Sequence, residues 1–503
     1  MAGLLTLVDV VVLLFAVLLL NKILTKKPVS LPPGPPKLPL LENIFDMPSS
    51  NEWLTFAKWG EKWGDIVSVS VFGQQMIILN SVKHAIEMLD KRSSVYSDRP
   101  TMQMGGELVG WKNTLVLLPY GDRFRNFRKL FHRAVGSQAA ASEFQPVQEI
   151  ESRRFLKRIL ANPEKLATHV RKTAGAVILR ISHGYEVKEK DDPFVTLADL
   201  ATEQFSLSTA PGGFLVNLIP SLRHIPSWLP GAGFKQTAVD WARTLATMAE
   251  GPHQFVKQQM AAGTAEVSFT SRLLEADDIS PDEEHDIKWS AASLYSGGAD
   301  TTVSAVYALF LACVLYPEAA RKAQEELDAV VGRDRLPTFA DRENLPYTNA
   351  FVLEVFRWHS TIPTGVPHRV TEDNIYEGYL IPKGALVITN IWQMSHDPKV
   401  YSDPFSFKPE RFLGPQPEQD PRDFCFGFGR RICPGRILAE ASVFINSAMT
   451  LAVFDISKSV VDGVVIEPKP EQSTGTISHL KPFTCTIKPR SQKAVDLVMA
   501  EEF

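Results

Sequence analysis

The stretch Phe426-Gly427-Phe428-Gly429-Arg430-Arg431-Ile432-Cys433-Pro434-Gly435 decides the reading of this chain. It sets one cysteine among glycines, with a phenylalanine seven residues before it and an arginine two residues before it. A sulfur that binds a metal through a single bond needs a tight loop with its backbone exposed. Gly427, Gly429 and Gly435 permit such turns and let a flat cofactor come close. Amide N–H groups aimed at the sulfur would hold it as thiolate and set its electron donation. Arg431 suits an anionic substituent of the same cofactor through a charge-assisted hydrogen bond. The run Arg436 to Ala441 then reads as a helix, whose N-terminal dipole also favours a thiolate. Alone, a cysteine in a glycine turn is as well explained as a buried free thiol.

Working outward, Pro281 to Tyr316 is the longest helical pattern, with Ser280 as its candidate N-cap. In its middle stands Gly297-Gly298-Ala299-Asp300-Thr301-Thr302, whose glycine pair and β-branched threonines are poor helix formers. Such a run marks either a local kink or the close approach of another element, for which a second helix is the plain alternative. An acid beside an alcohol there, with water, is equipped to deliver protons. Thr348 to His359 reads as a helix that carries Glu354 and Arg357 on one face. Pro409-Glu410-Arg411-Phe412 supplies a further arginine downstream.

Together these motifs resemble the cytochrome P-450 family, whose cysteine loop has the form F-x-x-G-x-R-x-C-x-G; every fixed position is filled here. The resemblance runs from the amino terminus to the terminal strands. It implies a mainly helical fold with smaller sheets, and haem b held between the 281–316 helix and Cys433 as axial iron ligand. The thiolate would push electron density onto iron and favour O–O cleavage. Asp300 and Thr301 are implied in proton delivery, and Phe426, Gly427 and Arg431 in holding the haem. Glu354, Arg357 and Arg411 are implied as a buried structural cluster behind the cysteine loop. The family's third helix usually carries a tryptophan and an arginine, four residues apart, on a haem propionate. Arg128 matches the arginine, but Phe124 occupies the tryptophan position and has no N–H to donate. His368, on an extended segment, and Arg99, in Ser97-Asp98-Arg99-Pro100, are the further propionate candidates.

Composition fits a globular protein, with 45% hydrophobic residues, 22% charged residues and a net charge of −4, which gives no support for nucleic-acid binding. Cys313, Cys425, Cys433 and Cys485 are too few and scattered for a disulfide framework or a paired zinc site. Ala2 to Leu20 is almost wholly apolar, interrupted by Thr6 and Asp9, and Lys22, Lys26 and Lys27 follow. That pattern predicts a transmembrane anchor with its lysine side in the cytoplasm; a cleaved signal would carry its basic residues first. The expected organisation is therefore an anchor over 1–21, a basic and proline-rich hinge over 22–50, and one haem-binding monooxygenase domain over 51–503. The expected location is the endoplasmic reticulum membrane, with the catalytic domain in the cytosol.

Within the body, 66–72 and 76–80 predict a hairpin, Ser81–Asp90 a short helix, and 97–118 a long, glycine-containing loop. The helix from Asp122 to Arg133 is strongly basic and suits docking to an acidic electron donor. Between Pro211 and Phe234 lies an apolar stretch broken by Pro and Gly, which by position resembles the family's membrane-surface connection. The tip Thr474-Gly475-Thr476-Ile477 is expected at the substrate.

The reaction implied is hydroxylation or epoxidation of a lipophilic small molecule by O2. Electrons would come from NADPH through a flavoprotein reductase, NADPH-cytochrome P-450 reductase, with cytochrome b5 as a further donor. Val366-Pro367-His368-Arg369 and Asn390-Ile391-Trp392 look most like fungal secondary-metabolism members, with terpenoid, polyketide or indole-type substrates. Two alternatives stand beside this: an oxygen-independent haem-thiolate isomerase or dehydratase, and a non-catalytic haem or lipid binding protein. The intact Asp300-Thr301 pair weighs against the first.

Overall fold

The computed structural model of the chain describes residues 29–210, 212–276 and 278–500. The expected anchor, 1–21, lies outside the described residues, as does 22–28 of the expected hinge.

The described helices of twelve residues or more are α1 (Glu52–Trp63), α2 (Asp122–Val135), α3 (Gln145–Ala161), α4 (Leu166–His183), α5 (Pro193–Thr209), α6 (Phe234–Ala261), α7 (Pro281–Leu315), α8 (Pro317–Val330), α9 (Pro346–Trp358) and α10 (Arg436–Val453). The fold is mainly helical, as expected. The largest sheet contains β1 (Ile66–Val71), β2 (Gln74–Leu79), β3 (His368–Arg369) and, after the hairpin β4 (Asn374–Tyr376) and β5 (Tyr379–Ile381), β6 (Leu386–Thr389). Its order is β1-β2-β6-β3. β1 and β2 are antiparallel, Ile66 facing Leu79, and β2 runs parallel to β6, Met76 facing Leu386.

α7 is the axis of the molecule. Ser280 Oγ accepts the Glu283 N–H, and the Glu283 carboxylate accepts the Ser280 N–H in return, closing a capping box around Pro281. Asp282, Glu283 and Glu284 stand at the positive end of the helix dipole. From Ile287 to Val314 most side chains are buried on every side, as in a helix that is packed all round. α7 and α10 are both long and apolar enough to cross a membrane, yet most of each lies buried inside the fold, where they serve as core helices.

The glycine run does not break α7, which is continuous from Pro281 to Leu315. The two glycines have different reasons. A Cβ on Gly298 would lie 2.7 Å from the Ile178 side chain, so Gly298 is where α4 presses against α7. A Cβ on Gly297 would meet nothing within 4 Å. Elsewhere the structure redraws local expectations. Residues 81–90 divide into Val82–Ala85 and a π-helical turn, Ile86–Lys91, and the 97–118 loop contains a second such turn, Gln103–Leu108.

The proline segment is docked on β1. Ser68 N–H donates to the Pro33 carbonyl (2.9 Å), and Gly34 sits where any Cβ would be 2.0 Å from the Ser68 carbonyl oxygen. Asn43 donates its own N–H to Ser70 O and accepts the Ser70 N–H on Oδ1 (3.0 Å). Its amide group reaches back to Pro35 O (3.1 Å).

Gly298→Val is expected to lower stability by about 1–3 kcal/mol, because the added methyls overpack the α4–α7 seam. Ile178→Ala in the same chain should recover part of that loss, which thermal unfolding of the single and double variants would read.

Candidate active site

The cysteine loop is shaped by its own backbone. Cys433 N–H donates to Phe426 O (2.8 Å), Arg431 N–H to Phe428 O (3.1 Å) and Ile432 N–H to Gly429 O (3.1 Å). Gly427 (φ 80°) and Gly429 (φ 53°) occupy the left-handed region. At Gly429 a Cβ would also stand 2.1 Å from the Leu89 carbonyl oxygen, so the loop lies directly on the π-helical turn. Phe426 meets Phe356 of α9 edge to face, with centroids 5.4 Å apart. Cys433 is open to a cavity of about 340 Å³ that the loop shares with α7. Burial pushes its thiol up, while the Gly435 N–H, Arg128 and Arg436 pull in the direction of thiolate.

Three guanidinium groups line this cavity, and no carboxylate among the described residues does. Arg431 donates Nε–H to Ser97 O (2.7 Å), and its Nη1 and Nη2 are buried without a partner. Burial holds it down to about 10, with Asp98 opposing and Arg128 adding repulsion. Arg99 donates to the carbonyls of Val116, Val366 and Pro367; burial and the nearby Arg431 put it well below the usual guanidinium range. Arg128 donates to Ile432 O (2.6 Å), beside the cysteine. His368 Nδ1 is 2.7 Å from Tyr96 O, and burial followed by Arg99 drives its pKa well down.

These donors fit haem. Its two carboxylates would neutralise cations that are costly to bury alone, and the Arg431 Nη groups are hydrogen-bond donors still lacking an acceptor. No three His, Cys, Asp or Glu side chains gather among the described residues to hold a bare ion, so a metal at Cys433 must bring its other ligands, as a porphyrin does.

The structure separates Asp300 from Thr301. Thr301 lines the cavity and donates Oγ1–H to Gly297 O (2.8 Å), one turn back along α7. Asp300 is buried and is not among the residues lining the cavity. Its carboxylate lies 3.3 Å from Arg171 of α4 and 3.1 Å from His479 Nε2. Arg171 also reaches Asp199 of α5 (3.4 Å). Burial pushes Asp199 up to about 6; the attraction of Arg171 is partly cancelled by the repulsion of Asp300. The tip residues Thr476 and Ile477 line the cavity as well.

Behind the loop, Glu354 and Arg357 are fully buried and paired through two bonds of 2.7 Å. Arg411 joins at 3.1 Å and also pairs with Glu418. Arg357 spends its remaining donors on the carbonyls of Ser395, Pro404 and Ser406. The cluster does not line the cavity. Phe356, Cys425 and Leu438 do, and only the folded chain shows it. Each sits next to a motif or inside a helix, with no spacing that would mark it.

The family model described as Cytochrome P450 matches residues 32–486. The chain is 57% identical to cytochrome P450 monooxygenase 208 of Postia placenta, over 93% of this chain and 92% of that protein. It is 50% identical to cytochrome P450 monooxygenase claR of Ampulloclitocybe clavipes, over 93% and 88% of the two chains. It is 44% identical to cytochrome P450 monooxygenase CLM2 of Gibberella zeae, over 95% and 92%. The chain belongs to the cytochrome P450 family and is a haem-thiolate monooxygenase.

Two outcomes follow from the buried charges. Glu354→Ala strands Arg357 without its counter-ion and should cost about 3–5 kcal/mol, whereas a change at the part-exposed Glu418 should cost far less in denaturant unfolding. For Asp199, a folded-state pKa raised from 3.8 to about 6 means that the fold binds this proton more tightly than the unfolded chain does. Its stabilising contribution is complete below the lower value and is lost as pH rises through the upper one. Asp199→Asn should therefore gain stability relative to the parent across that window and level off above it. A difference that stays constant with pH would show that the shift is absent.

Proposed function

We propose that this monooxygenase places one oxygen atom from O2 into a neutral, lipophilic small molecule, and that the Cys433 sulfur would hold the iron of haem b. The observation that carries this is one cavity that holds the Cys433 sulfur, the Thr301 hydroxyl and apolar walls such as Phe205, Leu294, Val306 and Ile477. A cationic substrate would find no counter-ion among the described lining residues. Haem, when bound through the thiolate, supplies the oxidising power.

The protein's part is to exclude water, orient substrate and move protons. Thr301 Oγ1 engages its own proton with Gly297 O and so presents lone pairs to the cavity. Arg171, Asp199 and His479 are partly exposed and touch or neighbour the buried Asp300, so the cluster connects solvent to the residue beside Thr301. Arg431, with Arg99, Arg128 and His368, takes the haem carboxylates, and Phe426 and Gly427 bound the sulfur side of the pocket. Glu354, Arg357 and Arg411 hold the scaffold.

Electrons come from NADPH through a flavoprotein reductase, with cytochrome b5 as an alternative donor. The likeness to fungal monooxygenases over more than nine tenths of the chain supports a place in fungal secondary metabolism, on a terpenoid, polyketide or indole-type substrate. A membrane setting at the endoplasmic reticulum, anchored by 1–21, is supported by exposed apolar residues on two segments. Leu40 and Phe45 are exposed, as are Leu215 and Trp228, while the neighbouring Ile44, Met47 and Leu218 pack against one small core cluster. That shared cluster supports a common membrane-facing side, by which a lipophilic substrate would arrive from the bilayer.

The test is expression in yeast with a matching reductase, feeding of a source extract, and growth under oxygen-18 gas beside Cys433→Ala. A product gaining one labelled atom, absent from the variant, is expected. A product without label and without loss of two hydrogens alone, which excludes desaturation, would instead indicate rearrangement or dehydration.

A further inference from the structure

Phe124 occupies the position at which the family resemblance led us to expect a tryptophan, and the structure gives it a different occupation. Its ring is buried on α2 and lies under the Arg431 guanidinium, with the centroid 3.9 Å from Cζ. That guanidinium is held on two sides. The ring covers one face, and Ser97 O takes the Nε–H on one edge at 2.7 Å. What remains is the fork of Nη1 and Nη2, buried and without an acceptor, on a residue that lines the cavity.

An indole at this position would give a haem carboxylate one N–H directly. A phenyl ring has no such donor, but its face attracts a cation, most strongly where water is excluded. Arg431 is such a cation: its fork is buried without an acceptor, and its Cζ stands 3.9 Å from the ring centroid. An arginine fork also gives two parallel bonds to a carboxylate where an indole gives one.

We propose that Phe124 is a positioning residue for the haem: its ring backs the Arg431 cation so that both Nη groups meet one haem carboxylate, in place of a tryptophan N–H. The inference rests on the reading of Arg431 as a carboxylate partner. It assigns the ring an electrostatic role in addition to its packing among Phe127, Leu115 and Tyr120.

Haem release from the full-length holoprotein into an excess of a haem-free globin, followed by the Soret band, tests this without using activity. Phe124→Leu keeps an apolar side chain in the core but removes the π face, and should release haem about 5–10-fold faster than the parent. Phe124→Tyr keeps the face and should stay within about twofold of the parent. Arg431→Gln removes the cation and should release haem faster by itself. Adding Phe124→Leu to it should change the rate by less than about twofold, because the partner of the ring is gone. If Phe124→Leu does not fold, Phe124→Met takes its place in both backgrounds. An unchanged rate in Phe124→Leu, or the same factor with and without Arg431, assigns the ring to packing alone and overturns the proposal. If Arg431→Gln releases haem no faster than the parent, the carboxylate reading of Arg431 fails instead.

Discussion

A pair of opposite charges with no water around it sets the frame of this protein. Glu354 and Arg357 are wholly buried one turn apart on α9, and such a pair is tolerable only where every remaining donor is satisfied. The rest of the Arg357 fork therefore dictates where the carbonyls of Ser395, Pro404 and Ser406 must stand, and Arg411 is drawn in on Glu354 Oε1, which it shares with Arg357. That fixes α9, and Phe356, one of the two residues between the charged pair, supports Phe426 at the start of the cysteine loop. The chemistry of the sulfur thus depends on an ion cluster that never touches the cavity.

The cavity applies the opposite rule. Its lining collects three cations with no carboxylate among the described residues and leaves the Arg431 fork without an acceptor, with a thiol among them whose burial opposes ionisation. Such a site is poorly stabilised by itself and is completed by a ligand that brings two negative charges and a metal. Binding of haem and folding around it are then coupled, since the free energy of relieving buried charge appears only in the loaded protein.

The parts of the molecule that could be read from sequence are those whose partners are near in the chain or whose conformation needs a particular residue. The N-cap at Ser280, the turn-forming glycines of the cysteine loop and the Glu354–Arg357 spacing are of this kind. What could not be read depends on contacts between distant segments. Asp300 looked like half of a pair with Thr301, but successive residues on a helix face different ways, and its carboxylate went to Arg171 and His479, 129 and 179 residues away. Gly298 was visible as an anomaly, yet only Ile178 explains it. Phe124 read as a missing donor because a sequence shows the N–H that is absent and not the cation above the ring. The π-helical turns at 86–91 and 103–108 carry no periodicity that a strand or helix template would detect.

The proline segment also bears on how the molecule avoids its own copies. β1 is an edge strand, and an uncovered edge is a template on which another chain can add a strand. Here Pro33 and Asn43 take up the outward N–H groups of Ser68 and Ser70, and Asn43 takes the Ser70 carbonyl as well. Pro32, Pro33, Pro35 and Pro36 have no N–H to offer in turn. The segment therefore closes the sheet with a border that cannot be extended, and guards the body against aggregation at the place where the chain enters it.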